Sequence, residues 1–497
     1  MSTLSELLPA GGGGSTVDFV ASGTLPNGKP VILKTNGQVE VVGEASVSES
    51  IPAGSEYVFN TQRADYTFIA FDPNTAGKFV VVYRDEGNSN HGIAIAGTVS
   101  GTTLSFGSEV VFNSGVVEYT QIAFDPNTAG KFVITYMNQD NSNYGEAIVG
   151  TLSGTTLSFG TAVVFNSAYS LDIKIAFDPS TAGKFVVVCR DNANSNRGEA
   201  IAGAVSGTSI SFGSMVLFNT GATNHIAVAF DPNTAGKFVV AYRNMGNSNY
   251  GTGIVGTLSG TSISFTNPSI YNAGNSTWTS IAFDPNTAGK FVVAYTDNGN
   301  SGYGTAVVGN LAATNISFGS EVVFNTASVM YNSIFFNPNT ANQFVVVYTD
   351  IGNSYYGTVK VSTISGTSIS FGSGNVFNTG STQYISVSLD PNTDGKFVVA
   401  YKDEGNSDYG TAIVGQLSAS LTNLTSTNFV GTSTKAYTNG QTATIAVQGG
   451  LSTNQTGLTI GSTYFVQPTG TLATTAGTPS VNAGKALSAT TLLLKDL

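Results

Sequence analysis

The chain has 497 residues, of which 41% are hydrophobic and only 10% charged, with 59 glycines, one cysteine and a formal net charge of −11. That length and apolar content suffice for a large core, while the acidic balance and scattered cations exclude a nucleic-acid groove, which needs clustered Lys and Arg to displace counterions. A lone Cys189 excludes an internal disulfide framework, and no run reaches the ~18–20 apolar residues of a membrane helix, so no membrane insertion is expected.

The chain opens on MSTLSELLPAGGGGSTVDF, and residues 1–18 read as a flexible N-terminal arm. It lacks a basic region followed by an apolar run, so no Sec signal is expected, and GGGG lacks the Lys and helix that would follow it in a phosphate-binding loop. Residues 19–50 carry strand-like runs around an Asn36-Gly37 hairpin signal and read as the first part of a small β domain.

An aspartate or asparagine followed by proline then recurs at Asp72, Asp125, Asp178, Asp231, Asp284, Asn337 and Asp390, every step 53 residues long. Seven copies of one unit fill the middle of the chain, and such a period points to a propeller, solenoid or array. The first copy contains four strand-like runs, YTFIAF, KFVVVY, GIAIAGTV and LSFGSEVVF, rich in the β-branched and aromatic residues that suit a pleated surface. DPNTAG and SGTT separate them as tight turns.

The fold expected is all-β, a seven-bladed β-propeller of 53-residue four-stranded repeats over 51–427, inserted between N- and C-terminal segments of a small β domain (19–50 and 428–497). The ends of the array favour a ring over an open solenoid. EYVFN at 56–60 matches the end of a fourth strand with nothing of its unit before it, and the seventh copy drifts into SASLTNLTSTNF where its own fourth strand belongs. In this arrangement the second-to-third loops share a face with the variable inter-blade stretches SGVVEY, SAYSLD, TGATNH, AGNSTW, TASVMY and TGSTQY. Variation on a uniform scaffold marks that face for recognition.

Three residue sets are candidates for chemistry. The Asp72-type ring reads as structural, each acid bonding backbone amides of its own turn. The residue before the glycine of each second-to-third loop is an aromatic in most copies, Tyr144, Tyr250, Tyr303, Tyr356 and Tyr409, whose rings suit either sugar stacking or blade-to-blade packing; Trp278, in an inter-blade stretch, is a separate glycan-contact candidate. DEGNSN holds only fragments of a calcium loop, so no metal is expected. His91 and His225 occupy unrelated repeat positions, and with no nucleophile elbow, zinc spacing or phosphate loop, neither catalysis nor a cofactor is expected.

YRDEGNSNHGIAIAGTVSGTTLSFGSEVVFN resembles the repeat of structural proteins of tailed phages of marine bacteria, cyanophages included. YFVQPTGTLATT and VNAGKALSATTLLL are similar to segments closing many phage virion, fibre and decoration proteins. The resemblance implies a non-enzymatic virion surface appendage, partnered with other virion proteins, oligomeric according to particle symmetry, and made in the host cytoplasm. Host-surface polysaccharide is the expected ligand if the propeller serves adhesion. A propeller lectin is the alternative reading, and a polysaccharide-degrading propeller enzyme a third.

Overall fold

The computed structural model describes residues 16–47, 50–52, 54–417, 419–477 and 479–495. The chain is all-β: its named strands pair antiparallel, and among the described residues helix is confined to short 3-10 turns such as Glu86–Asn88. Two compact units emerge, one spanning residues 48–417 and the other assembled from the two flanks.

Within the first repeat the strands Tyr57–Phe71, Lys78–Asp85, His91–Ser100 and Thr103–Asn113 lie side by side in chain order. The second strand is buried along nearly its whole length, which is why KFVVVY shows no polar alternation. Phe79 and its counterparts Phe132, Phe185, Phe238, Phe291, Phe344 and Phe397 are fully or almost fully buried. Gly97 makes room for this ring: a Cβ there would stand 2.1 Å from Phe79 Cζ. Cys189 occupies the site that Tyr83 and five other tyrosines fill elsewhere and is equally buried.

Five of the six expected inter-blade loops prove to be strand, while in SGVVEY the chain leaves the strand over 114–116. Val163–Phe177, Val216–Phe230, Ser269–Phe283, Val322–Phe336 and Ser368–Leu389 each belong by their first half to one sheet and by their second half to the next. In the third repeat, for example, Val164 pairs with Glu146 while Phe177 pairs with Phe185. Polar, glycine-containing stretches looked like loops, but a β-bulge lets the chain change sheets without leaving extended backbone.

The DPNTAG turns fasten repeat to repeat. Asp72 Oδ1 accepts from Asn74 N (3.0 Å), the intra-turn bond, while its Oδ2 accepts from Gly130 N of the following repeat (3.2 Å). Asp125, Asp231 and Asp284 make the same outward bond to Gly183, Gly289 and Asn342, and Asp178 caps its own turn at Ser180. Asn74 Nδ2 adds a second joint to Pro126 O (3.2 Å). In the sixth repeat the polarity reverses: Asn337 cannot offer a carboxylate, and its Nδ2 donates to Asp394 Oδ1 (3.3 Å).

The pairing series comes back to its start. Tyr409, Gly410, Thr411 and Ala412 of the seventh repeat pair with Arg63, Asn60, Val58 and Tyr57. Tyr401 Oη donates to Glu56 Oε1 (2.8 Å), reproducing the bond from Tyr83 Oη to Glu109 Oε1 (2.6 Å) one period on. Ser50 also bridges Gln416, so the N-terminal contribution starts before EYVFN.

The flanking unit holds a sheet ordered Thr16–Val20, Thr442–Ala446, Phe429–Ser433, Pro30–Leu33, Val39–Val41, and a second ordered Leu451–Ser452, Leu492–Leu494, Val481–Ala486, Thr463–Val466, Leu472–Ala473. Asn36-Gly37 does form a tight hairpin, with Gly37 at φ 81° and Leu33 opposite Val39. Two boundaries move. Residues 16–18, read as arm, are strand paired with Thr444–Ala446, and residues 1–15 of the arm lie outside the described residues. SASLTNLTSTNF belongs here rather than to the array, because Ala419–Thr422 pairs with Glu44–Val47 and Leu424 packs with Ile32 and Val42. In the second sheet Tyr464 and Val466 are buried and Phe465 and Leu472 half-buried.

Candidate functional site

In every repeat the innermost strand carries a bulge at one position. Asp65 pairs with Arg84 and Phe68 with Val82, so two residues oppose one between them. The bulge holds Tyr66 at φ 52°, and its counterparts Tyr119, Asp172, His225, Trp278, Tyr331 and Tyr384 all lie between 48° and 54°. Left-handed backbone is uncommon for bulky residues and re-aims a side chain out of the pleat.

The seven side chains form a collar. Rings meet at centroid distances of 5.4 Å (His225–Trp278), 4.4 Å (Trp278–Tyr331), 5.2 Å (Tyr331–Tyr384), 5.1 Å (Tyr384–Tyr66) and 5.3 Å (Tyr66–Tyr119). Asp172 interrupts the series and faces Arg190 Nε at 3.2 Å. All seven remain partly exposed.

Buried charge supports one sector of the collar. Asp65 Oδ2 accepts from Arg84 Nη2 (2.6 Å), while its Oδ1 faces Arg63 Nε (3.2 Å) and Lys402 Nζ (3.3 Å). Burial alone would raise this carboxyl, but the bonds from Arg63 and Arg84 and the charge of Lys402 hold it below the usual range. The same cations sit on the collar: Arg84 lies 4.9 Å from the Tyr66 centroid and Lys402 5.4 Å from that of Tyr384. Burial keeps the phenols neutral, pushing Tyr119 and Tyr331 up to about 12, and pushes the His225 imidazole down to about 4.

The collar guards a cavity of about 910 Å³ lined by the innermost strands of all seven repeats and, beyond their other ends, by prolines such as Pro73 and Pro232. Its walls are largely Ile, Ala, Val and Phe, and the charged side chains lining it are Asp172, Lys174 and Arg190.

Trp278 is therefore not a loop residue: it lies within the strand Ser269–Phe283 and belongs to the collar. Tyr144, Tyr250, Tyr303, Tyr356 and Tyr409 open their third strands and are half-buried. Ser276, Asp297 and Tyr303 stand abreast, two residues before Trp278, so these tyrosines share the collar's face but lie two strands out, roughly 10 Å at ordinary strand spacing. Among the described residues, none of the five meets another aromatic ring. Three of the loop acids cap backbone: Asp85 Oδ1 accepts from Gly87 N (3.0 Å), Asp191 Oδ1 from Asn194 N (3.1 Å) and Asp297 Oδ1 from Gly299 N (2.9 Å), whereas Asp350 and Asp403 make no such cap. The Asp72-type residues serve the turn joints described above.

The collar itself escaped sequence reading, although its signal is present: it is the last residue of each variable stretch, YDHWYY in order, preceded by Tyr66.

No protein-family model and no curated protein matches the chain. Solved structures with some likeness include Sqt1 from Chaetomium thermophilum (TM-score 0.45, 11% identity, 72% of this chain and 85% of that one). Sqt1 from Saccharomyces cerevisiae gives 0.44 at 11% identity over 76% and 99%, and AofleA from Arthrobotrys oligospora 0.43 at 8% over 71% and 96%.

Proposed function

We propose that the array is a seven-bladed β-propeller acting as a non-enzymatic carbohydrate-binding module, with the axial aromatic collar as its docking site. The pairing of Gly410 with Asn60 and the turn joints support the ring. The observation that carries the binding reading is the collar: six aromatic side chains, each held by a bulge in left-handed backbone, ring a cavity mouth while staying partly exposed. Sugar rings stack on such faces, since Tyr and Trp offer a large apolar body with a polar handle. Glycoside hydrolysis uses two carboxylates; the cavity wall presents Asp172 alone, and Arg190 neutralises it. The outer tyrosines then serve as packing or as weak secondary contacts.

A glycan array followed by titration of the full chain tests this. Trp278→Ala and Tyr331→Ala are expected to lower affinity at least tenfold, and Tyr303→Ala less than twofold. Binding lost through Tyr303 but retained without Trp278 would move the site to the outer tyrosines, and no binding by the wild type would remove the reading.

Display on a phage particle is a second reading, supported by the resemblance of the repeat and the closing segments, the latter spanning the strands Thr463–Val466 and Val481–Ala486. Virion proteins would then be the partners and the particle surface the location. Immuno-gold labelling of intact particles checks it, and detection only in unassembled form would sink it.

A further inference from the structure

The charge of the cavity is concentrated in one repeat. Asp172, Lys174 and Arg190, the charged side chains on its wall, all come from the third repeat, and together they leave one net positive charge inside a chain of net charge −11. Arg190 answers Asp172 at 3.2 Å. Lys174 makes no ion pair among the described residues; its Nζ reaches over the ring of Phe68 at 5.6 Å, a residue two repeats away.

The layer below the collar is asymmetric in the same sense. Its seven positions are Phe68, Gln121, Lys174, Ala227, Ser280, Ser333 and Ser386, long in repeats one to three and short in repeats four to seven. All three serines among the short side chains bond to backbone, Ser280 Oγ accepting from Ile334 N (3.2 Å), Ser333 Oγ from Val387 N (3.3 Å) and Ser386 Oγ from Ile69 N (3.3 Å). Lys174 is thus, among the described residues, the cation of a mostly apolar chamber that no carboxylate pairs at ion-pair distance, placed two residues below the gap that Asp172 leaves in the ring-to-ring series of the collar. Desolvation pushes its ammonium down to about 8, with the charge of Asp172 opposing the shift. A half-buried cation without an ion pair in an apolar chamber is costly, and an incoming anion relieves that cost.

We propose that this sector is a carboxylate-binding subsite and that the protein selects acidic sugars, uronates, over neutral ones: the pyranose ring stacks on the collar and its carboxylate pairs with Lys174. This rests on the carbohydrate-binding reading above. It extends that reading from a class of ligand to a charge. A neutral sugar gains the stacking but leaves the ammonium unpaired, so the discrimination comes from one ion pair in a low-dielectric chamber.

Trp278 is the sole tryptophan and stands in the collar, so its emission reports docking directly. The full-length protein is titrated with oligogalacturonate, with maltohexaose as the neutral oligomer and with a sulfated neutral oligomer, for wild type, Lys174→Met and Lys174→Arg. The expected result is at least tenfold tighter binding of oligogalacturonate than of maltohexaose. Lys174→Met should erase that preference, bringing the two oligomers to within about twofold of each other, and Lys174→Arg should keep it. Thermal melting is expected to show Lys174→Met no less stable than wild type, since it removes a half-buried ammonium. Equal binding of acidic and neutral oligomers by the wild type, or a preference untouched in Lys174→Met, overturns the subsite while the collar reading stands. Preference for the sulfated oligomer overturns the choice of carboxylate, and no response to any oligomer overturns both readings.

Discussion

Asp390 Oδ2 accepts a hydrogen bond from Gly77 N at 2.8 Å across 313 residues of chain. It is the same bond that Asp125 makes to Gly183 at 2.9 Å between adjacent repeats, and Asn392 Nδ2 adds its companion to Pro73 O at 3.1 Å. The joint between last and first repeat therefore has the geometry of the others. Asp390→Ala leaves the buried Gly77 N without its acceptor, a loss of about 1–3 kcal/mol. Urea denaturation is expected to show Asp390→Ala as destabilised as Asp125→Ala; an unchanged midpoint for Asp390→Ala alone would mean that the last joint does not form in solution.

The closing strand gives a second expectation. A fragment of residues 48–417 retains Tyr57–Asn60 opposite Gly410–Ala412, whereas a fragment of residues 61–417 leaves the edge of Tyr409–Gln416 unpaired. Open edges of this kind template aggregation. Size-exclusion chromatography should find the longer fragment monodisperse and the shorter one aggregated, and similar behaviour of the two would remove closure as the reason.

Asp65 is fully buried and answers three cations at once. Asp65→Asn keeps the shape and withdraws the charge, leaving Arg84 with Glu86 and Glu118 and Lys402 with Glu404 and Asp408, all more exposed than Asp65; breaking a buried pair costs about 3–5 kcal/mol, and these remaining partners hold the loss at or below that range. A large fall in denaturation midpoint is expected. Trp278 emission should not move, because it sits in another sector of the collar.

His225 supplies a pH signature. Burial holds its imidazole near 4 in the fold, below its ordinary 6.5; Arg243, Arg190 and Lys174 act in the same direction and Asp172 against it. The unfolded chain thus binds the proton first, and this residue's contribution is complete above about 6.5 and lost as pH falls toward about 4. His225→Gln should flatten the stability profile across that window, as read from melting temperatures at successive pH values, and leave it unchanged at pH 8.

The period of 53, the Asp-Pro turns and the apolar runs made the repeat and its strands legible, because backbone pairing follows side-chain pattern directly. The collar was not legible for the opposite reason. Tyr66, Tyr119 and Trp278 sit where alternation fails, and nothing in an aromatic side chain announces left-handed backbone; only the bulge, a property of two paired strands, turns them to the cavity. Likewise AGNSTW reads as loop by composition while its backbone continues one sheet into the next. The role of Lys174 depends on what does not surround it, which a single strand of sequence does not list.

The pairing of Asn60 with Gly410 also sets a schedule for biosynthesis. Asn60 leaves the ribosome 350 residues before Gly410, and at about 5–20 residues per second that interval is roughly 18–70 s. Through this time the nascent chain carries an unfinished edge at its front while later repeats add behind it. The final strand to emerge meets the first one made, so release of the finished array is tied to completion of translation past Gln416, and a truncated product is marked by an open edge for the cell's quality control.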